Sequence, residues 1–80
     1  MAMETKAYET SDIALASYLY CCGAQLSTID RKNPRRCVFV FGSAESELIT
    51  RWQAGKATVN ALAFYNAYQA LKARLFRGDL

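Results

Sequence analysis

The sequence predicts a small α+β domain, with an antiparallel β-hairpin packed on three helices in the order α-β-β-α-α. Three observations carry that prediction. Apolar residues recur at helical spacing near the start, middle and end of the chain; the alternating segment "CVFVF" lies between the first two; and "NPRR" supplies a turn just before it. Eighty residues make one domain, 1–80, because either half alone is too short to bury a core.

Residues 1–9 mix charges with a lone aromatic, Tyr8, and read as a lead-in that either frays or adds a short edge strand near "KAYET". In "TSDIALASYLYCCG", Thr10 or Ser11 is suited to cap a helix, Asp12 then lies in the positive first turn, and Gly23 can end the helix. Ile13, Ala16 and Tyr20 form one stripe, and Leu15, Tyr18, Leu19 and Cys22 a second. Most of the circumference is therefore apolar, which predicts the most buried helix of the fold.

"AQLSTIDR", residues 24–31, reads as an edge strand, but Leu26 and Ile29 differ in parity and share a face only across a bulge. Asn33 suits the first position of a type I turn and Pro34 the second. In the return strand, 37–41, Cys37, Phe39 and Phe41 point one way and Val38 and Val40 the other. Both faces then ask for an apolar cover, one from helices and one from a second subunit or partner, which makes Val38 and Val40 a candidate interface.

Gly42 and Ser43 read as breaking that strand, and "SAESELITRWQAG" as a helix with Ala44, Leu48 and Trp52 on one stripe and Gly55 as its stop. Asn60 caps the last and longest helix, about 61–76, whose wide apolar face holds Leu62, Phe64, Tyr65, Tyr68, Leu71 and Leu75. Residues 77–80 are a C-terminal tail.

Hydrophobic residues make up 52% of the chain, which argues against disorder and, at this length, for a core either tightly filled or partly shared with a partner or with a second copy in a homodimer. An odd number of cysteines, three, with no N-terminal apolar leader, fits a reduced cytoplasmic protein. No run is long enough to cross a bilayer, so no membrane role is expected.

Catalysis is argued against by the absence of histidine, the commonest general base and metal ligand. Glu45 and Glu47 diverge by about 200° on a helix, and the adjacent Cys21 and Cys22 by about 100°, so neither pair converges on one point. Glu9 and Asp12 lie about a helix start, where an acid is expected for the dipole alone. The four glycines stand singly at predicted element ends, with no phosphate-binding loop. No catalytic residue, cofactor or metal is predicted.

The segment 30–36 carries the entire net charge of +3, from Arg31, Lys32, Arg35 and Arg36 against Asp30. These four cations are the candidate binding surface. A solvated hairpin protected from edge-to-edge pairing is the first reading, nucleic-acid contact the second and an acidic protein partner the third. Four duplex phosphates would give a salt slope of about −3.6. Phe64, Tyr65 and Tyr68 could stack on bases, but their helical spacing favours core packing.

At "ETSDIALASYL", "VFVF" and "FYNAYQALKARL" the chain resembles a family of short uncharacterised proteins of bacteria, archaea and their phages, grouped as a domain of unknown function. The resemblance covers about residues 9–76 and rests on capping and core residue types. It implies a mobile-element setting and no assigned activity. The expectation is a non-enzymatic interaction module that binds another protein. The alternative is a nucleic-acid-binding accessory protein using the hairpin tip, helped by Lys72, Arg74 and Arg77 if the last helix ends nearby.

Overall fold

The computed structural model describes residues 5–33 and 35–77. The start of the predicted lead-in, Pro34 and most of the predicted tail lie outside the described residues. The elements are β1 (Thr5–Thr10), α1 (Ile13–Cys21), β2 (Gln25–Asp30), β3 (Val38–Glu45), α2 (Ser46–Gln53) and α3 (Ala61–Arg77). The segment around "KAYET" is thus a strand, ahead of the predicted elements. The sheet has the order β1-β3-β2 and is antiparallel throughout, so β1 and β2 are both edges.

The sheet is shaped by two adjacent bulges. In β2, Leu26 pairs with Phe41 and Thr28 with Val40, leaving Ser27 as the extra residue; this is the bulge that lets Leu26 and Ile29 share a face. In β3 the register shifts against both neighbours at Gly42. Gly42 and Ser43 therefore do not break the strand, as their types suggested. The added residue resets the alternation, so that Ala44 faces the core three positions after Phe41, and β3 runs on to Glu45. Ala44 belongs to the sheet and not to the stripe of α2. Gly42 approaches its neighbour closely: a β-carbon there would lie 2.6 Å from the Ser27 hydroxyl oxygen, which would have to rotate away.

Asp12, not Thr10 or Ser11, caps α1, with its Oδ1 accepting from the N–H groups of Ala14 and Leu15. Thr10 supports the cap from outside, its hydroxyl oxygen accepting from the Asp12 N–H. At the other end Gly23 takes a positive φ; its N–H reaches the Tyr20 carbonyl and that of Ala24 the Leu19 carbonyl, a Schellman ending. Gly55 ends α2 in the same way. Asn60 caps α3 as predicted, accepting from the Ala63 N–H at 3.0 Å.

Five consecutive residues of α1, Leu15 to Leu19, are buried. The Ser17 hydroxyl escapes an unsatisfied burial by donating to the Ile13 carbonyl at 2.7 Å. Around α1 gather Ile29, Phe39, Phe41 and Ala44 of the sheet, Leu48 and Ile49 of α2, and Leu71 of α3. Tyr18 packs on Trp52 with ring centroids 5.3 Å apart. α3 lies chiefly against α1.

Candidate functional site

The hairpin tip is built by backbone capture. Asp30 accepts from the Lys32 N–H, Asn33 Oδ1 from the Arg35 N–H, and the Asn33 carbonyl from the Arg36 N–H, closing a four-residue turn. The four cations on this frame divide into two kinds. Arg31 turns toward the helices, its Nη2 donating to the Arg74 carbonyl at 2.7 Å. That carbonyl is among the last four of α3, so a guanidinium from the hairpin caps a helix end and meets its negative dipole. Arg36 leans toward α1, its Nε donating to Ser11 Oγ at 3.1 Å. Lys32 and Arg35 project from an exposed tip. With Arg31 engaged on α3, three tip cations remain for a phosphate chain, and the expected salt slope falls to about −2.7.

Val38 and Val40 occupy the sheet face opposite Phe39. They are half-buried, outside the core cluster, and paired across the sheet with Asp30 in one case and with Glu9 and Thr28 in the other. The expected apolar second face is therefore a two-residue ridge between polar neighbours.

α3 differs most from the sequence expectation. Its inward side is made by Phe64, Ala67, Leu71 and Leu75. Leu62 and Tyr65, placed on that face by sequence, are instead 67% and 55% exposed, and Phe76 is 81% exposed. At about 100° per residue, Leu62, Tyr65, Gln69 and Phe76 fall on one outward stripe. The Gln69 amide donates to the Tyr65 hydroxyl along it, and Lys72 Nζ lies 5.3 Å from the Tyr68 ring centre and 5.9 Å from that of Phe76. The spacing 62, 65, 69, 76 was a readable signal; it was obscured because α3 also offers a second apolar stripe.

Phe76 also walls a cleft of about 460 Å³ between the hairpin, the start of α1 and the end of α3. Ile13, Phe39 and Leu75 make its floor with Cys37, and Arg35 and Arg36 its rim. No sequence pattern joined these residues, since they come from three separate elements. The other cysteines lie at the far end of α1, where burial, and then the neighbouring Cys21 thiol, raises the Cys22 pKa above its ordinary value. All three cysteines are free.

Among the described residues no helix is long and apolar enough to cross a membrane. The model of one family, the domain of unknown function DUF5659, matches residues 5–77, and the chain belongs to that family. No curated protein and no solved structure matches it.

Proposed function

We propose that this member of DUF5659 is a non-enzymatic module that binds another protein through the outer face of α3. The observation that carries the reading is the exposure of Leu62, Tyr65 and Phe76 on a single stripe of a helix whose other side is already packed. Large aromatic and aliphatic groups held outward on a rigid element are the usual anchors of a protein interface. A second copy of the chain is one partner of this kind. Val38 and Val40 contribute less, because their cross-strand neighbours are polar.

The chemistry of the chain supports a binding role over a catalytic one. It has no histidine, Asp12 is occupied as a cap, and Glu47 is paired with Arg51 on α2. Three free cysteines fit a reduced, cytoplasmic setting, and the resemblance of the chain fits a phage or mobile element. Nucleic-acid binding through Lys32, Arg35 and Arg36 is the second reading, favoured by the exposure of these cations on one turn.

Site-specific photo-cross-linking in the native host tests the choice, with the photoreactive residue in place of Tyr65, Glu9 or Arg35 and half of each sample treated with nuclease. The expected result is a discrete, nuclease-resistant protein adduct from position 65. Adducts from position 35 alone, lost on nuclease treatment, would overturn the reading. An adduct of twice the monomer mass from position 65 would identify self-association.

A further inference from the structure

We infer that the cleft at the end of α3 receives a large apolar side chain from an acidic segment of the partner protein. This rests on the protein-binding reading and adds the chemistry of what is bound. Three features point the same way.

The first is the floor. Ile13, Phe39 and Leu75 offer hydrocarbon, and Cys37 a thiol, at the bottom of a cleft of about 460 Å³. Such a surface rewards a leucine, phenylalanine or tryptophan side chain by burying it. The polar groups of the lining, Ser11, Arg35 and Arg36, can also meet the edge of a nucleobase, so displacement by an oligonucleotide is the competing outcome of the test.

The second is the charge around the mouth. Arg35 and Arg36 stand on the rim, Lys32 beside them on the turn, and Lys72 next to Phe76. α3 contains no acidic residue over its whole length. Among the described residues the acids on neighbouring segments are Asp12, which accepts from Ala14 and Leu15, and Asp30, which accepts from Lys32; the four cations outnumber them. The rim therefore complements an anionic segment. By contrast, a second cleft of about 270 Å³, beside Cys22, Gln25, Ser43 and Glu45, has neither a cation nor an aromatic wall among its described residues.

The third is continuity. Phe76 is at once the wall of the cleft and the last member of the exposed stripe. Tyr65 lies about 16 Å and Leu62 about 21 Å along α3 from Phe76, so an extended segment leaving the open cleft would need roughly five to six residues to reach them.

The test is an NMR titration of the full-length protein with a short blocked peptide in which aspartates and glutamates flank a central phenylalanine. The amides of Cys37, Leu75 and Phe76 should shift, and affinity should fall roughly tenfold for a peptide with alanine at the centre. Comparable losses are expected for Arg35→Glu and for Phe76→Asp, both exposed positions whose variants should keep the parent circular dichroism spectrum. No shift at millimolar peptide would overturn the inference. So would binding that survives the loss of the central phenylalanine, or displacement of the peptide by oligothymidylate with a steep salt dependence. If cross-linking from position 65 persists while the peptide fails to bind, the α3 interface stands and the acidic-segment inference alone falls.

Discussion

α1 and α3 are both rich in apolar residues, yet they use them in opposite ways. α1 buries five residues in succession and meets the sheet, α2 and α3 around most of its circumference. α3 is almost twice as long but settles against α1 along one side, leaving Leu62, Tyr65 and Phe76 in solvent. The same composition therefore builds a core in one helix and a free face in the other. What separates them is position: α1 lies between layers, and α3 closes the outside of one.

The largest test of that difference is to truncate one leucine on each side of it. Leu19→Ala, at a fully buried site of α1, should cost about 2–5 kcal/mol by urea unfolding, a large share of the roughly 4–12 kcal/mol available to a domain of this size. Leu62→Ala on the outer face of α3 should stay within about 0.5 kcal/mol. Equal losses at the two sites would remove the distinction.

Arg31→Met comes next, since it withdraws a charged donor from the end of α3. A cost of about 1–2 kcal/mol is expected, with faster hydrogen exchange confined to the last turns of that helix. Uniform acceleration over α1 and α3 would mean that Arg31 has no special tie to α3.

Gly42→Ala should cost about 1 kcal/mol through its approach to the Ser27 hydroxyl. Ser27→Ala in the same chain should recover most of it, because the Ser27 β-carbon itself lies 4.0 Å away. Additive effects of the two changes would mean that the Ser27 hydroxyl is not what limits residue 42.

A smaller effect comes from pH. Burial, and then the Cys22 thiol, raises the Tyr18 pKa above its ordinary 10.0. The folded state thus resists ionisation of this phenol more than the unfolded chain does. Its contribution is intact below the ordinary value and is lost as pH rises through the folded one. Stability should fall in that alkaline window, and Tyr18→Phe should flatten the fall; an unchanged slope would assign it to other groups.

The least change in stability is expected from Phe76→Asp, within about 0.5 kcal/mol by thermal melting, although the same variant should lose the cross-linked partner. A strong destabilisation would instead make Phe76 a structural residue.

Several of these features were legible in the letters. Leu26 and Ile29, three apart in a strand, required the bulge at Ser27, and Asn60 before "ALAFY" marked the start of α3. Gly42 was misread because glycine after an alternating run more often ends a strand than bulges it. The same parity reasoning, applied to Phe41 and Ala44, would have found the second bulge. The contact of Arg31 with the C-terminal end of α3 had no local signature at all, since Arg31 and Arg74 stand 43 residues apart. Nor did the cleft, which draws on three elements.

By itself the sequence determined what depends on neighbours along the chain: the turn at Asn33, the cap at Asn60, the stops at Gly23 and Gly55 and the alternation of β3 as far as Phe41. These follow from hydrogen bonds and torsional preferences spanning a few residues. Only the tertiary structure decided which apolar residues are core and which are surface, where Arg31 is directed, and that Phe76 stands beside Arg35 and Arg36. Burial and charge proximity are properties of packing in space, and a stripe of side chains looks the same in the sequence whether or not anything lies over it.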